Sequence, residues 1–253
     1  MLNYVSFGEP VGVPLIIVHG LFGSARNWRV LQKRFAEHRH VIAVDMRNHG
    51  ESFRSDVNSY EALAGDIAEV IDAQGGAADV LGHSMGGKTA MVLALTQPEL
   101  VRKLIVADIA PVAYGHTQAG HIEAMKSVDM AQVTRRSDAD KQLVEHVDSA
   151  PLRAFFLQSV ALEDGGARWQ LNLDTLLAEM PKIMGFPALN NPFDGRTLFL
   201  RGAESDYVLP EMQDRILGKF PRAEFAKIAG AGHWLHAEKP REFQQAVEAF
   251  LVS

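Results

Sequence analysis

A serine flanked by glycines, Gly82-His-Ser84-Met-Gly86, stands where an apolar run ends and a helical pattern begins. G-x-S-x-G in that position is a sharp strand-to-helix turn that presents a hydroxyl nucleophile. Such a turn cramps the serine backbone, so Gly82 and Gly86 are needed where strand and helix pass without room for a Cβ. The pentapeptide also arises by chance in glycine-containing loops, and its place after a strand is what selects the functional reading. A serine hydroxyl ionises far above neutrality and needs a base within hydrogen-bond reach, oriented in turn by an acid. The chemistry on offer is acyl transfer through a covalent acyl-serine.

The candidate base is His233 in Ala229-Gly-Ala-Gly-His-Trp-Leu-His236, a glycine-rich loop after a predicted strand. His83 adjoins Ser84, but neighbours on a sharp turn point apart, so it reads as a packing residue. His236 is an alternative base or half of a metal pair with His233; with no further ligand at the right spacing, no metal is expected. Two backbone N–H groups must hold the developing oxyanion, one from Met85 and one from Leu21 in Val18-His-Gly-Leu-Phe-Gly-Ser24. His19 is read as holding that loop. Two carboxylates compete as the acid: Asp108, ending the strand after the nucleophile helix, and Asp206 in Arg201-Gly-Ala-Glu-Ser-Asp-Tyr-Val208. Glu204 is a further candidate.

The elements that must carry these groups alternate. Short β-rich runs at Pro14–His19, His40–Asp45, Ala78–Gly82 and Lys103–Asp108 are separated by helical patterns at Asn27–Glu37, Tyr60–Gln74 and Gly87–Gln97. That alternation predicts an α/β fold with a mostly parallel sheet covered on both faces. From about Val112 to Asn191 strand signals cease, and amphipathic pieces at His121–Val128, Ala139–Val147, Pro151–Val160 and Leu173–Ile183 predict a helical insertion. Alternation resumes with strands at Arg196–Arg201 and Ala223–Ile228 and helices at Pro210–Lys219 and Pro240–Leu251.

At 253 residues, 47% apolar and 22% charged, the chain is long and apolar enough for one domain with an insertion. A net charge of −6 with scattered basic residues points to no nucleic-acid partner and no anionic membrane surface. The longest apolar stretches are too short to insert in a membrane, and the N-terminus lacks a signal pattern, so a cytoplasmic protein is expected. Cysteine is absent, which removes disulfides and thiolate nucleophiles. Nothing in the pattern decides between monomer and homodimer.

Several blocks taken together carry a resemblance: His19-Gly-Leu-Phe-Gly-Ser24, Val44-Asp-Met-Arg-Asn-His-Gly-Glu-Ser52, Gly82-His-Ser-Met-Gly-Gly-Lys-Thr-Ala-Met91, Val106-Ala-Asp-Ile-Ala-Pro111 and Gly232-His-Trp-Leu-His-Ala-Glu-Lys-Pro240. They resemble the α/β-hydrolase serine esterases of the YbfF/ABHD11-like group. The resemblance implies an α/β-hydrolase fold, a core of 1–111 and 192–253, and a helical cap over 112–191. It implies a cofactor-free hydrolase of small-molecule esters or thioesters, acyl-CoA among them. Most members of the fold carry the acid at the later place. Here the usual slot counted from Gly202 holds Ser205, while Asp108 matches the Asp-Ile-x-Pro segment from which this group takes its acid. The segment Asp45–Ser52 reads as a loop brace.

Substrate pocket candidates are Phe22, Trp169, Met180, Met184, Phe186 and Trp234, although most apolar residues of an amphipathic insertion glue it to the body. Arg153, Arg168 and Lys182 are available to an acidic leaving group such as coenzyme A. The same fold and triad also serve C–C hydrolases, perhydrolases and proton-abstracting lyases, and a chain of this fold can be a non-catalytic ligand-binding protein.

Overall fold

The computed structural model describes residues 1–163 and 165–253. Its main sheet comprises β1 (Tyr4–Phe7), β2 (Leu15–Val18), β3 (Val41–Val44), β4 (Ala78–His83), β5 (Val101–Ala107), β8 (Arg196–Gly202) and β9 (Ala223–Ile228), while β6 (Val160–Glu163) and β7 (Gly166–Trp169) pair separately. The strand order is β1-β3-β2-β4-β5-β8-β9, with β1 antiparallel to β3 and every other pair parallel.

The central strands are buried along their whole length, as strands covered on both faces must be. Side chains alternate between two cores. Ile16, Val18, Ile42, Val44 and Val80 face one core with α2 (Tyr60–Asp72) and α3 (Met85–Thr96), reached after α1 (Arg29–Phe35). Leu15, Ile17, Val41, Ala43 and Leu81 face the other. Helix α2 begins where the Ser59 side chain accepts the Ala62 N–H and buries Leu63, Ile67, Val70 and Ile71 on one stripe.

Between β5 and β8 come α4 (Ala119–Lys126), α5 (Arg136–Leu143), α6 (Ala150–Leu157), the β6–β7 pair, α7 (Leu173–Ala178) and α8 (Met180–Met184). The expectation of a strand-free insertion is therefore corrected. The two strands have four residues each, and Val160 simply continues the amphipathic pattern of α6, so no period-2 signal stands out. The expected single piece Leu173–Ile183 is two helices, because Pro181 lacks an N–H and can only sit in a first turn. Phe156, Leu176 and Ile183 join the core that contains α2 and α3. After β8 come α9 (Gln213–Lys219), α10 (Leu235–Glu238) and α11 (Pro240–Val252), whose Phe243 and Val247 lie in the second core with α1.

Strand β2 has β3 on one side and β4 on the other, so the chain winds outward in both directions from this point. A crevice at the carboxyl ends of the strands is the expected consequence. Register brings those ends level: Val18 lies beside Gly82, His83 beside Ala107, Ala107 beside Leu200 and Gly202 beside Ile228.

Candidate active site

Ser84 follows the last residue of β4 and caps α3 with φ of 54°. Its N–H donates to Ala107 O at 3.0 Å, which ties the turn to β5. A Cβ on Gly82 would collide with the Gly86 carbonyl, and one on Gly86 with the Val18 carbonyl. These collisions are with main chain, so the two glycines are required by the approach of helix to strand. Asp108 has the same φ of 54°. Such a conformation costs a non-glycine residue about 1–3 kcal/mol and persists only where the surroundings enforce it.

The His233 imidazole lies between the two. Its Nε2 is 3.1 Å from Ser84 Oγ and its Nδ1 is 2.7 Å from Asp108 Oδ2. Asp108 is fully buried; its Oδ1 accepts the Gly202 N–H at 3.0 Å and its Oδ2 accepts the Ser205 hydroxyl. Asp206 and Glu204 are exposed, and neither is bonded to His233. The residue in the usual acid slot, Ser205, thus reaches the site as a donor to the carboxylate. Tyr207 stacks on His233 with ring centroids 4.0 Å apart.

Four further histidines surround this arrangement, all buried, and burial lowers the pKa of each. Nε2–H of His83 donates to the His233 carbonyl at 2.8 Å, so the ring braces the His233 loop and not the serine. His236 is held down to about 3 and stacks on Trp28 at 4.3 Å. His19 donates from Nδ1 to Gly20 O and accepts the Met46 N–H on Nε2. Burial also holds His49 to about 3, and its Nε2 accepts the Phe22 N–H at 3.2 Å.

These two rings shape the loop after β2. Phe22 N–H is spent on His49, whereas the N–H groups of Leu21 and Met85 donate to no acceptor among the described residues. Gly20 lies against Ser84, where an added Cβ would be 3.1 Å from the serine Cβ. Asp45 braces the loop from behind by accepting N–H groups of Ala25 and Glu51, and Arg47 forms a two-pronged pair with Asp66.

A cavity of about 280 Å³ opens at Ser84. Phe22, Met184 and Trp234 line it, together with Leu152, Phe155, Phe156 and Ile183 from the insertion. Three expected lining residues lie elsewhere. Trp169 is buried with its indole N–H donated to Met125 O, Met180 faces an adjoining cavity, and the Phe186 ring packs beside Tyr60 outside the lining. A stripe on an amphipathic helix marks burial without naming its partner, so apolar character alone does not put these residues on the cavity wall.

Lys88, Tyr60, Tyr114 and Tyr207 also line the cavity and were not singled out. Lys88 had a signal, as a lone charge inside an apolar helix. Desolvation lowers its pKa to about 7. The three bases offered to an acidic leaving group are engaged: Arg153 with Asp140, Arg168 with Glu163 and Lys182 with Glu179. None of them lines the cavity. Among the described residues no group of three or more His, Cys, Asp or Glu is arranged to hold a metal ion, and no helix is long and apolar enough to cross a membrane.

Residues 15–246 match a family described as the alpha/beta hydrolase family. A mouse protein named sn-1-specific diacylglycerol lipase ABHD11 is 43% identical over 97% of this chain and 83% of its own. Esterase YbfF of Escherichia coli is 38% identical over 94% of this chain and 92% of its own. A solved structure titled marine microorganism esterase superimposes with a TM-score of 0.94 at 40% identity, covering 98% of each chain.

Proposed function

This chain belongs to the alpha/beta hydrolase family, and from that premise we propose that it is a serine esterase with Ser84 as nucleophile, His233 as base and Asp108 as acid. The observation that carries the reading is the single imidazole bridging the Ser84 hydroxyl and a buried carboxylate. The names of the relatives, two esterases and a lipase, agree with it.

In the proposed cycle Nδ1–H of His233 donates to Asp108, which leaves Nε2 free to accept the Ser84 proton as Oγ attacks the ester carbonyl carbon. The Leu21 and Met85 N–H groups hold the resulting oxyanion, each donor of this kind contributing about 10²–10³ in rate. As the tetrahedral centre collapses, the imidazolium returns the proton to the departing alcohol oxygen, leaving an acyl-serine. Water then loses a proton to the same nitrogen, attacks the acyl carbon and releases the acid with Ser84 restored. Asp108 holds the ring in place and stabilises the imidazolium, and no cofactor takes part.

Residues 112–191 act as the cap, since helices of this segment supply Leu152, Phe155, Phe156, Ile183 and Met184 to the cavity wall. Carboxylic esters are the substrates of this reading. Thioesters can follow the same cycle, but the engaged Arg153, Arg168 and Lys182 give no support to a coenzyme A site.

Hydrolysis of p-nitrophenyl esters from acetate to palmitate tests the proposal, with intact-mass detection of the acyl-enzyme. Wild type should turn over, and Ser84→Ala should lose about 10⁵-fold in kcat and all acyl adduct. Absence of turnover and of adduct in wild type would remove the esterase reading.

A further inference from the structure

Beside the catalytic cavity lies a second one of about 420 Å³, bounded by Ala113, Leu177, Met180 and Pro181. Tyr114 and Met184 line both, so these two residues stand between the cavities as a partition, with Gly185 beside them on the wall of the second. The main chain there is pinned from the body. Tyr60 donates its hydroxyl to Ile183 O at 2.6 Å, the Lys88 ammonium donates to Met184 O at 3.0 Å and Gly185 O at 2.6 Å, and the Tyr114 N–H donates to Met184 O at 3.0 Å. The part left free is the Met184 side chain, half-buried, unbranched and able to re-pack around three rotatable bonds.

The second cavity has no Asp, Glu, Lys or Arg in its lining, and its polar side chains are those of Tyr114, His116 and Thr117. The catalytic cavity, at about 280 Å³, is at the small end of ligand pockets, which run from about 300 to 1,000 Å³. A short acyl group fits it; a long one needs further apolar room. The partition stands over Lys88, one helical turn beyond Ser84 along α3, and its Tyr114 donates its hydroxyl to the Tyr207 carbonyl at 2.6 Å, so it borders both the nucleophile and the ring stacked on His233.

We propose that the second cavity is a distal acyl subsite, joined to the catalytic cavity when the Met184 side chain turns aside, and that it takes the far end of a long unbranched acyl chain. The inference rests on the esterase reading above. It makes Met184 a specificity-determining residue.

The test is the ratio of kcat/KM for p-nitrophenyl decanoate to that for the acetate, in wild type, Met184→Ala, and Met184→Ala combined with Leu177→Trp or with Ala119→Phe. Decyl acetate is run alongside. Met184→Ala should raise the ratio about tenfold, equivalent to burying about two more methylenes, and either filling substitution should return it to the wild-type value or below. Two fillers from different walls, each checked by its melting temperature, separate occupancy from misfolding. A ratio unmoved by Met184→Ala overturns the subsite, as does a gain that both fillers leave intact. A gain confined to decyl acetate overturns the assignment to the acyl chain. Wild type inactive on every ester removes the esterase reading and this inference with it, whereas an active wild type with an unmoved ratio removes this inference alone.

Discussion

Ser84 and Asp108 leave the sheet at the ends of β4 and β5, and His233 comes off the loop after β9, where parallel register sets each backbone to its neighbours. Phe155, Ile183 and Met184 reach the same cavity from helices α6 and α8, which no strand ladder registers. On the first side the polar atoms are tied down: the Asp108 carboxylate accepts from Gly202, Ser205 and His233, and the His233 carbonyl accepts from His83. On the second side the wall is held largely by apolar contact, and the hydrogen bonds that hold the Ile183–Gly185 stretch go to its main chain. Hydrogen bonds fix direction, which proton transfer needs; apolar packing fixes volume, which substrate selection needs. Substitutions on the two sides should therefore fail differently.

The largest effect is expected at the strand ends. Gly86→Ala would drive a Cβ into the Val18 carbonyl. Because only main chain can give way, we expect a loss of more than about 10³-fold in kcat/KM, as for a misplaced nucleophile, together with a lower melting temperature. An active, fully stable Gly86→Ala would break the contrast. Ser205→Ala removes one donor to Asp108 and leaves two, so roughly a tenfold fall in kcat with little change in KM is expected, in line with one charged hydrogen bond of about 1.5–3 kcal/mol partly replaced by water. On the insertion side, Phe155→Ala should do the reverse. Its ring meets Trp234 at 5.9 Å on the cavity wall, and its loss should raise KM severalfold for long esters while kcat stays within about twofold.

A further effect, on stability and not on turnover, concerns the buried histidines beneath the strand ends. His49 and His236 are held to about 3 by burial, against 6.5 in the unfolded chain. Between those values the unfolded chain binds protons that the folded chain refuses. Their contribution is therefore fully present above pH 6.5 and is lost as pH falls towards 3, by up to about 1.4 kcal/mol per group for each pH unit crossed. Melting temperatures measured from pH 7 to pH 4 should fall more steeply for wild type than for His236→Gln, whatever the absolute stability of the variant.

Much of the first side was legible in the amino-acid order. Six strands came from short β-rich runs, and the elbow glycines came from what the turn demands. β1 escaped because Tyr4–Phe7 is a half-exposed edge strand with only four residues of signal. Choosing Asp108 needed the family resemblance, since the choice depends on which strand lies beside which, a property of register that no local pattern carries. Ser205 illustrates the point: its role depends on β8 lying next to β5. The second side was less legible. Trp169, Met180 and Phe186 have the apolar character of pocket residues yet face Met125, a neighbouring cavity and Tyr60. Hydrophobicity tells that a side chain is covered, and the covering partner is decided by how the helices cross.

The proposed cycle depends on which carboxylate orients His233. Its most direct test is kcat/KM for p-nitrophenyl butyrate in Asp108→Asn beside Asp206→Asn. Asp108→Asn is predicted to lose about 10⁴-fold, because an amide in place of the carboxylate favours the wrong imidazole tautomer, while Asp206→Asn stays within about twofold of wild type. A large loss in Asp206→Asn with Asp108→Asn near wild type would contradict the assignment and require the loop after β8 to supply the acid.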